Sequence, residues 1–140
     1  MQNILLNCHH YLAFIALILI AWATINGVVG NSSEKVWEAK HQKVNLFALI
    51  ATHTMLLLGI VLLGMAMANA DMGEIMKNSV ARKQYVEHPM MGILAAVFVT
   101  IGNAKSKKGV GNGKRFKSTM IFYGIALVLV LSRLPFEKLF

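Results

Sequence analysis

Residues 1–33 contain no Asp, Glu, Lys or Arg, and that stretch decides the solvent in which the chain must fold. A transmembrane helix needs about 20 consecutive, mostly apolar residues. The run over 5–29 exceeds that length, and further runs follow at 45–70, 84–103 and 118–134. The third reaches spanning length only when residues 84–88 join the apolar stretch that begins at Pro89. Composition points the same way: 56% of residues are hydrophobic and 14% charged, against about a quarter charged in soluble domains, and mean hydropathy is +0.59. A chain of 140 residues cannot hide so much apolar surface in one aqueous core. In hydrocarbon each backbone N–H and C=O must be satisfied within its own segment, which favours helices. The expected fold is therefore all-α: a polytopic membrane protein, one domain over 1–140, forming a four-transmembrane-helix bundle. There is no internal repeat and no low-complexity tract.

The first run lacks the basic start and the small-residue cleavage site of a secretory signal, so it reads as a retained helix. Orientation follows from Lys and Arg in the short loops. Lys35, Lys40 and Lys43 follow the first span, and Lys105, Lys107, Lys108, Lys114, Arg115 and Lys117 follow the third. The other side carries Lys77, Arg82, Lys83, Arg133 and Lys138. Nine against five places the first and third loops in the cytoplasm and both termini outside, in an integral protein of the cell membrane (the inner membrane if bacterial). The net charge of +8 thus reads as a topology signal beside lipid phosphates, and a nucleic-acid partner is not expected. In the middle loop, Met72, Ile75, Met76 and Val80 recur at helical spacing, as in a short amphipathic surface helix or an extension of a neighbouring span.

No hydrolase or transferase constellation is present. The glycine-rich stretch from Gly109 to Lys114 lacks full phosphate-loop spacing and follows no strand, so it reads as a turn. Asn31-Ser32-Ser33 has the form of a glycosylation sequon, on the side assigned to the cytoplasm. The single cysteine, Cys8, has no intrachain partner for a disulfide. The methionines form no metal-binding repeat.

Ionisable side chains within a span are costly and mark function by default, which singles out the histidines. His9 and His10 lie near the outer end of the first span. His88 lies about 6 Å inside the outer boundary of the third, by a rise of about 1.5 Å per residue. His53 falls about 25 Å from the outer end of the second span on the same rise, toward the cytoplasmic end, so it is not expected to share a ligand with His88. His41 falls in the first loop. Two neutral imidazoles facing each other between helices suit a six-coordinate haem iron, and Gly92, one turn beyond His88, leaves room for a flat ligand. Zinc or copper held by Cys8, His9, His10 and His88 is the competing arrangement. Each of these residues also has a plain packing or interfacial role open to it.

The chain also resembles a family of small four-helix membrane proteins labelled cytochrome b or cytochrome-b-like. The resemblance runs over nearly the whole chain: Thr52-His53 leading to Leu57-Leu58-Gly59; Asp71-Met72-Gly73; Met76-Lys77-Asn78-Ser79; Arg82; Val86-Glu87-His88; Ile101-Gly102 before Ser106-Lys107-Lys108; and Ile121-Phe122-Tyr123-Gly124. Family members open with a histidine in a pattern like H-S-x-L-R-W. Here the stretch is His9-His10-Tyr11-Leu12-Ala13-Phe14, which makes His9 the matching histidine, with Ala13 in place of the arginine and Phe14 in place of the tryptophan. Pro89 directly after His88 is a further departure.

The resemblance implies a small b-type haem protein for electron transfer, with His9 and His88 on the iron and a quinone or a membrane protein complex as partner. His10 is the neighbouring candidate ligand, and His53, with Thr52 and Thr54, a candidate for the quinone side. The alternative is a non-haem accessory or structural subunit of a larger membrane complex.

Overall fold

The structure is a computed structural model and describes residues 2–33, 35–68, 71–82, 86–109 and 111–132, apart from the side chains at 2, 3, 80 and 81. Every regular element described is helical. Four long helices, α1 (Gln2–Ser32), α2 (Ala39–Met67), α5 (His88–Lys108) and α6 (Asn112–Ser132), are each long and apolar enough to cross a membrane. Two short ones, α3 (Met72–Lys77) and α4 (Ser79–Arg82), sit between α2 and α5. The 21 residues of α5 match a hydrocarbon thickness of about 30 Å at about 1.5 Å per residue. At 31 and 29 residues, α1 and α2 are longer than that thickness requires, and such length is taken up by tilt or by projecting ends.

The four long helices form a closed ring. α1 packs on α2 and α6, and α5 packs on the same two, so α1 faces α5, and α2 faces α6, across the diagonals. Ile20, Ala23, Val44, Ala48, Ala95, Val99, Tyr123 and Ala126 make the central cluster, with all four helices contributing. Lipid supplies no hydrophobic drive for helix association, so close packing and interhelical hydrogen bonds hold such a bundle. Small residues provide the packing here. A Cβ at Gly27 would lie 2.6 Å from the Met120 backbone nitrogen, and one at Gly102 would lie 2.8 Å from Phe122 Cβ.

All four helices extend three to six residues past the expected spans at the end that carries the basic loop, to Ser32, Ala39, Lys108 and Asn112. Hydropathy marks where lipid stops, whereas a helix continues wherever its residues tolerate it; Lys and Gln are good helix formers, and lysine stems lie along apolar surface with their charge in water. The turn between α5 and α6 is short, and Gly111 adopts φ 85° within it, a conformation that costs glycine little. Arg115 Nε donates to the Gly109 carbonyl at 3.0 Å across this turn.

At the other end, α3 is a separate helix and not an extension of a span. Asp71 accepts the Gly73 N–H at 2.9 Å as its cap, Ile75 is buried, and Met72 and Met76 are exposed. Residues 83–85, and with them the expected start of the third span at 84, lie outside the described residues; α5 begins at His88, with Pro89 in its first turn. A proline there removes a donor that has no intrahelical partner in any case.

Candidate functional site

On each long helix the buried residues stop at one level. The last toward the non-basic end are Ala16 on α1, Thr52 on α2, Ala95 on α5 and Ala126 on α6. Beyond them no described residue of these four helices is buried. This looser half holds His9, His10, His53 and His88.

His9 and His88 come together. They sit on the diagonal pair α1 and α5, with ring centroids 6.4 Å apart and planes at 87°. His10 lies 6.2 Å from His9, at 47°. All three rings are half-buried. The placement of His9 rests on α2: its Nδ1 lies 3.0 Å from the Met55 carbonyl oxygen. A carbonyl only accepts, so Nδ1 carries the proton and Nε2 carries the lone pair. This is the tautomer of a metal-bound histidine, whose second nitrogen donates to a carbonyl or carboxylate. The ring also lies against Gly59, where a Cβ would meet His9 Cε1 at 3.0 Å. A glycine at that position lets the imidazole reach the helix backbone.

The donor set fits a haem iron. Two metal–nitrogen bonds of about 2 Å and two ring radii of about 1 Å put axial imidazole centroids about 6 Å apart. The porphyrin brings its own four nitrogens, so two protein ligands complete the iron. Near the pair a Cβ at Gly92 would meet only Leu56 Cδ1, at 3.7 Å. The zinc or copper arrangement is not assembled, because no group of three or more His, Cys, Asp or Glu able to hold an ion occurs among the described residues; Cys8 is exposed.

His53 stands fourteen residues from the outer end of α2, about 21 Å on the helical rise, on the exposed outer wall of the bundle. Its Nε2 lies 2.8 Å from Thr100 Oγ1. Thr100 spends its own proton on the Ala96 carbonyl at 2.7 Å, so His53 Nε2 donates and Nδ1 is left as an acceptor. Thr52 and Thr54 are not its partners: both hydroxyls donate to their own helix, at Ala48 and Ile50. Thr100 is twelve residues along α5 from His88, about 18 Å at about 1.5 Å per residue. That distance separates His53 from His88 by more than one iron can bridge, whereas on α2 His53 stands only two residues from Met55, whose carbonyl holds His9.

His41 is not a loop residue. It belongs to α2, is buried, and accepts the Glu38 N–H at Nδ1 over 3.0 Å. Its ring packs on Trp37 at 5.3 Å and Phe116 at 5.0 Å, while the Trp37 N–H donates to Asn112 Oδ1 at 2.9 Å. This cluster ties the first loop to the start of α6.

Nearby, sequence reasoning missed a polar network joining α2, α5 and α6. Gln42 Nε2 donates to Asn103 Oδ1 at 2.9 Å and to Ser106 Oγ at 3.4 Å. Asn45 Nδ2 donates to Ser106 Oγ at 3.1 Å and Thr119 Oγ1 at 3.0 Å, and Tyr123 OH donates to the Asn45 carbonyl at 2.7 Å. The signal was in the spacing: Gln42 with Asn45, Asn103 with Ser106, and Thr119 with Tyr123 recur three or four residues apart, each pair on one helix face.

No family model, curated protein or solved structure matches the chain.

Proposed function

We propose that this chain is a small membrane-embedded b-type haem protein that transfers electrons, with His9 and His88 as the axial ligands. The observation that carries the reading is the pairing of two histidines on diagonal helices at 6.4 Å, one of them fixed by the Met55 carbonyl in the metal-binding tautomer. The iron would supply the one-electron chemistry when bound. The protein's part is to hold the two imidazoles, to keep His9 oriented through Met55 and Gly59, and to keep water away by placing the pair among apolar helices. In this reading electrons are exchanged with a quinone or a partner complex, and the exposed His53–Thr100 pair is the polar contact for a quinone head group. In this reading the basic end faces the cytoplasm of a cell membrane.

The test is an absorption spectrum of detergent-purified protein, expressed with haem supplied, before and after dithionite. A b-type α band is expected on reduction, and His9→Ala or His88→Ala should abolish it. A colourless preparation that is fully folded would remove this reading. It would promote the second one, a non-haem accessory subunit of a larger membrane complex, which the polar pair on the outer wall of the bundle favours. A polar side chain facing lipid at mid-span is costly and is satisfied by a neighbouring transmembrane helix.

A further inference from the structure

The polar network at the basic end is short of donors. Asn45 is fully buried, and its Oδ1 has no partner; Gln42 Oε1, one turn away on the same helix, is equally buried and equally unpaired. Turning the amides does not remove the deficit. Ser106 and Thr119 already give their protons to the Asn103 and Arg115 carbonyls at 2.9 Å each, and they receive the two Asn45 N–H groups as acceptors. Reversing the Asn45 amide would give Oδ1 those hydroxyl protons but would leave two buried N–H groups in place of one oxygen. A buried polar atom without a bond is destabilising, and proteins meet such deficits with internal water held by about three bonds.

We infer that one structural water occupies this end of the bundle, donating its two protons to Gln42 Oε1 and Asn45 Oδ1. Water suits the site because both unpaired atoms are acceptors, three or four residues apart on one helix face, and both amides meet the same Ser106 hydroxyl. An alkali cation would also seek amide oxygens, but no carboxylate belongs to the network, and Lys105, Lys107, Lys108, Lys114, Arg115 and Lys117 crowd this end of the helices. The water makes the network a closed joint between α2, α5 and α6, independent of what the histidine end binds.

The experiment is a structure of the full-length protein in lipid at a resolution that resolves waters, with parallel crystals grown in rubidium salts. A density peak within about 2.7–3.2 Å of both oxygens, with no anomalous signal from rubidium, is expected. In solution, the Asn45 side-chain amide should show cross-relaxation with a long-lived water, and this should persist when Ser106→Ala and Thr119→Val remove the hydroxyls that could relay it. An empty site between ordered side chains, an anomalous rubidium peak there, or loss of the water signal in the hydroxyl variants would each overturn the assignment.

Discussion

In the basic half of the bundle, a Cβ at Gly27 would strike the backbone of α6 at 2.6 Å, and Gly30 lies directly against the Phe116 ring. In the histidine half, a Cβ at Gly92 would meet only one Leu56 methyl, at 3.7 Å. Buried side chains follow the same division, since all those on the four long helices lie between the basic end and the level of Ala16, Thr52, Ala95 and Ala126. One half closes on itself with small residues and a hydrogen-bonded joint. The other leaves three imidazoles half-buried. The difference teaches that close packing and the histidine cluster occupy separate halves here: the proposed site lies where no described residue of the four long helices is fully buried.

The largest expected effect concerns which half meets the cytoplasm. With Cys8 replaced by Ser, a cysteine at Gly113 should resist an impermeant thiol reagent in intact cells, and one at Lys77 should react fully. Gly113 has nothing within 4 Å of a Cβ and Lys77 is exposed, so neither change disturbs packing. The reverse pattern would turn the bundle over and put the histidine half on the cytoplasmic side.

The contrast in packing should appear next, as a difference of sign. Gly27→Ala places a methyl group against backbone that cannot move alone, and overpacking of this kind costs about 1–3 kcal/mol. Gly92→Ala meets one Leu56 methyl at an ordinary contact distance of 3.7 Å and gains helix propensity, worth up to about 1 kcal/mol in aqueous helices, so it should leave stability unchanged or raised. Gly59→Ala falls between them, because the His9 ring must shift by a few tenths of an ångström; its reduced-minus-oxidised spectrum should shift in wavelength while its unfolding midpoint moves little. Unfolding in mixed detergent micelles measures all three. Equal losses at Gly27 and Gly92 would erase the distinction between the halves.

The four spans, the helical class and the closeness of His9 to His88 were legible in the sequence because each depends on hydropathy and on the rise of a helix. Helix ends at the basic side were not, since Lys40, Gln42, Lys107 and Lys108 read as loop residues on hydropathy yet sit within α2 and α5. The same bias hid the Gln42–Asn45–Ser106–Thr119 joint, half of which lies outside the expected spans. It also put His41 in a loop, since α2 starts at Ala39 and not at 45. The His53–Thr100 bond required knowing which faces of α2 and α5 adjoin, and periodicity on one helix does not contain that.

His53 carries the smallest expected effect, and the most discriminating one. Its ring faces outward from the bundle, bonded to Thr100, about 18 Å along α5 from His88 on the helical rise. If the histidine half holds a single haem, His53→Ala removes no ligand, and the absorption spectrum should remain nearly that of the parent. Stability should fall little as well, because a single interhelical side-chain bond in a membrane averages about 0.6 kcal/mol. What should change is the rate at which added quinol reduces the haem, or assembly with a partner helix, since both would use the outward acceptor at Nδ1. Thr100→Val sharpens the test: it removes the acceptor that holds Nε2–H and frees the ring to turn, so it should alter the quinol rate in the same direction as His53→Ala. A spectrum lost in His53→Ala and kept in His9→Ala would mean that the iron lies in the middle of the membrane, between α2 and α5, and that the open half around His9 serves another purpose.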